Sequence, residues 1–218
     1  NAMVRKLQPD ILINNRSKLP EDFGTPEEHV QAAEEGRSWE ACMTFNGSWG
    51  YMPSAIDWRS VREVIRLLRT CTAGQGNLLL NIGPAPDGSV PEEAVERLVP
   101  IGKWVKKYAE ALYGKVDRAQ GRFEWLPTGY WTLKGKTAYY WCDRWPGYEL
   151  VLGGVKGTLE RASFLHNDKE IEFVQEKKRL ILKNLPKNSP DKTAGICVIK
   201  LEFKSKPRQK LGAGCVLL

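Results

Sequence analysis

Histidine is almost missing from these 218 residues: His29 and His166 are the two imidazoles, too few for a histidine-rich metal centre. The five cysteines, Cys42, Cys71, Cys142, Cys197 and Cys215, include no C-x-x-C pair. An odd, dispersed set favours free, mostly buried thiols over a disulfide framework or a zinc site. No metal and no other cofactor is therefore expected. Hydrophobic runs last only a few residues, far short of a membrane span, and no membrane partner is expected. No secretory n-region and h-region opens the chain, and the sequence assigns no compartment. No solenoid-type repeat is found.

What is present is a globular composition, 42% hydrophobic, enough for a sizeable core in one large domain or two small ones. Asn1-Ala2-Met3 reads as an added leader before a start methionine and is set aside from the fold. The net charge of +7 is uneven. Residues 1–113 hold 13 Lys and Arg against 15 Asp and Glu; residues 114–218 hold 20 against 11. That shift predicts a domain boundary near Gly114. In the basic half the lysines stand singly between apolar residues, which suits solvated strand faces rather than nucleic-acid binding.

Periodicity predicts a buried strand over DILINN (10–15), a short helix from Glu27 to Glu35 after Thr25-Pro26, and a second strand over WEACMTF (39–45). An amphipathic helix follows over 58–71, with Val61, Val64, Ile65, Leu68 and Cys71 on one face and most of the arginines elsewhere. NLLLNIG (77–83) reads as a parallel strand covered on both faces. A helix then starts at Pro91, with Val95, Leu98, Val99, Trp104, Val105, Tyr108 and Leu112 as its buried side. This order is α/β with parallel strands. After Gly114, seven short β-rich runs separated by Gly, Pro, Asn and Asp predict an antiparallel β-sandwich, with a frayed tail from Lys204.

Three predicted parallel strands end in polar or aromatic material, and strand ends are where α/β proteins place their sites. DILINN leads to Arg16 and a loop with Glu21, Asp22, Glu27 and Glu28. WEACMTF leads to Asn46-Gly-Ser-Trp49-Gly-Tyr51, and NLLLN to Asn81 and a turn holding Asp87. Rings that pack on sugar faces, beside arginine and carboxylates that bond hydroxyls, are the ingredients of a carbohydrate site. Cleaving a glycoside usually takes two carboxyls flanking the bond.

The blocks PDILINNR, TPEEH, WEACMTFNGSWGY, GQGNLLLNIGPAPDGSVP and IGKWVKKYAEALYG, in this order and spacing, resemble the α-L-fucosidases of glycoside hydrolase family 29. The resemblance runs from Pro9 to about Tyr113. Gln75 departs from the family's usual Gly-Gly-Asn-Leu-Leu-Leu-Asn, a minor change. The resemblance implies the C-terminal part of a (β/α)8-type barrel, residues 1–113, followed by an antiparallel β-sandwich, residues 114–218. It implies a retaining enzyme that removes terminal α-L-fucose, so the expected partner is a fucosylated glycan or fucoside. It also implies that the chain starts just before the fifth barrel strand, without the segment carrying the aspartate nucleophile and a set of histidines. Neither Asp10 nor Asp57 matches the nucleophile position. The chain alone is expected to be inactive.

Glu27 matches the acid/base loop of the family; the alternative is a charge complementing a helix N-terminus. Glu40 is the second choice, equally readable as a buried structural carboxylate. Arg16 matches a sugar-contacting arginine, or else makes a structural salt bridge. Trp49 matches a pocket aromatic, or else packs in the core. Asn81 and Asp87 are expected to hold their loop through backbone hydrogen bonds. Trp125, Trp131, Trp141 and Trp145 are expected to pack within or between domains rather than bind sugar. Half a parallel barrel leaves an open edge and an uncovered core face, which predicts either self-association of two partial barrels or rearranged packing. Two rivals remain: a non-catalytic carbohydrate-binding or scaffold protein, and a basic module for anionic polymers.

Overall fold

The computed structural model describes residues 1–118, 129–176 and 179–209. The first part runs α1 (Ala2–Leu7), a 3-10 turn (Asn15–Ser17), β1 (Phe23–Gly24), β2 (Ser38–Thr44), α2 (Val61–Ala73), β3 (Asn77–Asn81), α3 (Glu92–Lys107) and α4 (Ala109–Leu112). The strands form one parallel sheet in the order β1-β2-β3. The second part holds β4 (Tyr130–Lys134), β5 (Thr137–Cys142), β6 (Leu150–Gly153), β7 (Val155–Lys156), β8 (Leu159–Phe164), β9 (Phe173–Glu176), β10 (Arg179–Leu182), β11 (Cys197–Phe203) and β12 (Arg208–Gln209). These make antiparallel sheets in the orders β4-β5-β11-β8 and β6-β10-β9, plus a small β12-β7 pair. The fold is thus α/β followed by antiparallel β, and both larger sheets share one apolar core.

Alternation along β2 sorts its residues cleanly. Trp39, Ala41 and Met43 are buried, whereas Glu40 and Cys42 are half-buried on the opposite face. Register with β3 pairs Glu40 with Asn77, Cys42 with Leu79 and Thr44 with Asn81. In α2, Ser60 caps the helix and Glu63 returns the bond, a reciprocal capping box that satisfies two otherwise orphaned donors. The helix ends on Gly74-Gln75-Gly76 because the Trp39 indole occupies that space. Its Nε1 donates to the Gly74 carbonyl at 2.9 Å, and a Cβ on Gly76 would stand 2.1 Å from the ring.

Several expectations are corrected. DILINN is not a strand: among the described residues only Asn14 bridges, to Phe23, and Leu12 is exposed with no strand covering it. The predicted helix over 27–35 does not form; the segment is a single bridge followed by bends and irregular loop. Glu27 bridges in parallel to Cys42, and Glu28 takes a left-handed φ of 56° that a helix does not allow. β3 is an edge strand, so Leu79 is 47% exposed rather than covered on both faces. Val95 and Val99 of α3 are likewise exposed, and Arg69 of α2 is buried instead of solvated. Ala2 and Met3, set aside with Asn1 as a leader, open α1, and Arg5 of that helix pairs with Glu21 and Asp22 at 2.9 Å. Part of the expected frayed tail is ordered, since β12 pairs with β7.

The two parts meet over Ile65, Trp104, Tyr108, Tyr139, Trp141 and Ile196, all buried in one cluster. Trp104 donates to the Ile196 carbonyl at 3.0 Å. Below it, Asp143 receives Arg69, both nearly fully buried, while Arg62 donates to the Asp143 carbonyl. Trp141 therefore packs between the parts. Trp131 and Trp145 pack against the core of the antiparallel part. Trp125 and Cys215 lie outside the described residues.

Candidate active site

The 3-10 turn after Asn14 directs Arg16 toward Thr25 and Glu27 beside β2. Asn15 Oδ1 accepts from both the backbone N–H (3.0 Å) and the hydroxyl (2.9 Å) of Thr25, and Arg16 Nε donates to that hydroxyl at 2.9 Å. From Thr25 the chain stays extended beside β2: Cys42 N–H donates to Pro26 O and Glu28 N–H to Cys42 O, both at 2.9 Å. This pairing puts Glu27 level with Cys42. The guanidinium of Arg16 then closes an ion pair with the Glu27 carboxylate, and both side chains remain substantially exposed. Two of the residues singled out from sequence are therefore in direct contact.

Glu40 shares the face of Cys42 but lies two residues nearer the N-terminal end of β2, next to Thr25 by the flanking register. Among the described residues its carboxylate makes no hydrogen bond or ion pair. Burial pushes the Cys42 thiol up; Arg16 opposes this while Glu27, Glu40 and Glu28 reinforce it. Those four charges thus surround a neutral thiol. Ligands of parallel α/β sheets sit beyond the carboxyl ends of the strands. On that ground Glu27 is the better placed of the two carboxylates.

Beyond Cys42, Glu28 closes the end of β2. Its carboxylate accepts from Thr44 N–H and from Arg59 Nη2 (2.8 Å), and Arg59 Nε donates to Thr44 O at 2.7 Å. Burial alone would raise the Glu28 carboxyl. The Thr44 hydrogen bonds and the Arg59 charge outweigh it and hold the group below the usual carboxylate value. This clip fixes the backbone on which Glu27 rides. The sequence reading missed it, because Arg59 looked like one of several solvated arginines of a helix that in fact begins at Val61.

Trp49 stands on the loop after β2 and is 43% exposed, which removes core packing as its role. Asn81 holds this loop by donating to the Trp49 carbonyl at 2.9 Å, and Gly83, at φ 56°, lies against Gly50. Asp87 accepts from the Ser89 N–H (2.9 Å) and hydroxyl (2.7 Å). Both residues thus hold backbone, as expected. No contact joins the Trp49 ring to Arg16 or Glu27 among the described residues.

A polar pair at the end of a parallel sheet, with an exposed indole on the next loop, can bond hydroxyls and move a proton. Comparison with known proteins gives this arrangement a family. The fold matches alpha-L-fucosidase isoenzyme 1 from Paenibacillus thiaminolyticus with a TM-score of 0.80 and 29% identity, over 94% of this chain and 52% of that one. It also matches a GH29 alpha-L-fucosidase from Bacteroides thetaiotaomicron, trapped as a covalent intermediate with 2-fluoro-fucosyl fluoride, with a TM-score of 0.73 and 26% identity. That match covers 95% of this chain and 51% of the Bacteroides chain. In sequence, the plasma alpha-L-fucosidase of Rattus norvegicus is 32% identical over 159 residues, 69% of this chain and 35% of that protein.

The family model described as Alpha-L-fucosidase matches residues 1–110. The chain belongs to the alpha-L-fucosidase family. It spans about a third of the curated relative's length and about half of the solved ones.

Proposed function

We propose that this chain supplies the acid/base half of a retaining α-L-fucosidase site. Residues 1–113 are the C-terminal part of a (β/α)8-type barrel, and residues 114–218 are the β-sandwich that braces it. The observation that carries this reading is the Arg16–Glu27 pair at the carboxyl end of the parallel sheet. In the reaction, a carboxylate from the preceding part of the barrel attacks the anomeric carbon of a terminal fucose. Glu27 gives its proton to the departing oxygen, and the covalent fucosyl intermediate is then released by a water that Glu27 deprotonates. A leaving-group oxygen reaching Glu27 takes the place Arg16 now holds, which frees the guanidinium to bond a sugar hydroxyl. Trp49 offers its ring to the apolar face of the sugar. The covalent state trapped in the Bacteroides relative supports the two-step route.

The chain by itself contains no carboxylate matched to the nucleophile, so it binds fucose without hydrolysing fucosides. The exposed Leu79 of edge strand β3 supports self-association of the isolated chain through the open side of the sheet. Titration with L-fucose tests the site: Arg16→Ala should weaken binding about tenfold or more, through loss of a charge-assisted hydrogen bond. Unchanged binding in that variant would remove Arg16 from the site.

A further inference from the structure

A second concavity shares no residue with the Arg16–Glu27 site. A cavity of about 570 Å³ opens between the β8–β9 connection and the β10–β11 connection. Phe164, Ile171, Pro186 and Pro190 give it an apolar wall, and its volume is that of a small-ligand site. The wall is held in place from behind. Trp145 Nε1 donates to the Pro186 carbonyl at 2.7 Å, and its ring centroid lies 6.3 Å from that of Phe164.

The polar lining mixes signs. Lys169 and Lys183 make no ion pair among the described residues, Glu170 is tied to Arg161 at 3.1 Å, and Glu172 accepts from Asn184. An anion entering the cavity meets the two glutamates, and a cation meets the two lysines. A neutral polyol suits both, because each hydroxyl donates one hydrogen bond and accepts others. His166 lines the same cavity, its ring edge-on to Tyr108 at 6.3 Å and tilted against Phe164 at 5.8 Å between centroids. Burial and then Lys107 hold His166 below its ordinary value, so at neutral pH its ring presents one donor and one acceptor.

From the mixed lining and the apolar wall, we propose that this pocket binds a neutral saccharide. It would grip a glycan at a place separate from the fucose site, and the inference does not rest on the fucosidase mechanism. The test is saturation-transfer NMR on the full chain with lactose, N,N′-diacetylchitobiose and mannobiose, with 3′-sialyllactose as the anionic comparison. At least one neutral disaccharide should receive saturation. Lys183→Ala combined with Asn184→Gly should weaken that binding about tenfold or more. Arg16→Ala and Glu27→Gln should leave it unchanged. Asn184 already sits at φ 54°, which glycine adopts freely, so the double variant keeps the backbone and should keep its melting temperature. Silence from all three neutral sugars, binding that survives the double variant, or a preference for 3′-sialyllactose over lactose would each overturn the proposal. Binding lost only with Arg16→Ala would also overturn it while leaving the fucose site intact.

Discussion

At Gly76 a single methyl would overlap the Trp39 indole, and at Gly74 it would stand 2.7 Å from the same ring. Trp39 is 2% exposed and anchored to Gly74 O, so it has nowhere to retreat. Gly76→Ala should therefore destabilise the chain by about 3 kcal/mol, as overpacking of a filled core does, read by urea denaturation. Between the two glycines, Gln75 holds a φ of 59°, where glycine is the easy residue. Its side chain compensates by donating to Val116 O at 2.9 Å, which ties the end of α2 to the segment after α4. Arg16 and Glu27 contrast with this pair. Both are well exposed, so Glu27→Gln should shift stability by no more than about 1 kcal/mol, a surface ion pair being worth little. Any larger effect of that variant on fucoside chemistry then belongs to the site and not to the fold.

Among the elements, α2 depends on its capping box: Ser60→Ala should cost about 1 kcal/mol, measured by thermal unfolding. The Glu28–Arg59 clip at the end of β2 gives a pH signature. The folded Glu28 carboxyl lies below its unfolded value, about 4.3 for a free glutamate. Its stabilisation is therefore present above that pH and is lost as pH falls through the folded value. Glu28→Gln should flatten the acid limb of the stability curve relative to the parent chain, an effect tempered by the exposure of the pair.

Elements with a strong period were legible in the sequence: β2, α2, β3 and α3 fall where alternation and helical spacing place them, and so do the β-rich runs that the structure describes. DILINN misled because hydrophobicity alone does not supply a pairing partner. Thr25-Pro26 misled because a helix start signal also fits an extended segment when a strand lies alongside. The Arg16–Glu27 contact was not legible, since the residues are joined by a turn and a bridge to β2 that no local pattern announces.

For the molecule as a whole, the α/β part leans on the antiparallel part through Asp143. Its carboxylate is 2% exposed and receives Arg69, itself nearly buried, with Arg66 at 3.7 Å. Removing one partner leaves a charge in a dry interface, so Asp143→Ala should cost about 3–5 kcal/mol. Such a loss, read by chemical denaturation, would mark the second part as a brace for the first. The central claim concerns Glu27, and hydrolysis of an aryl α-L-fucoside tests it most directly. The chain should be assayed alone and mixed with a polypeptide carrying the preceding strands and nucleophile of the family. The account predicts no turnover alone and turnover in the mixture. Glu27→Gln should lower that turnover about 100-fold or more, as loss of a general acid does, and Glu40→Gln should lower it far less. Turnover by the chain alone, or full activity with Glu27→Gln, would contradict it.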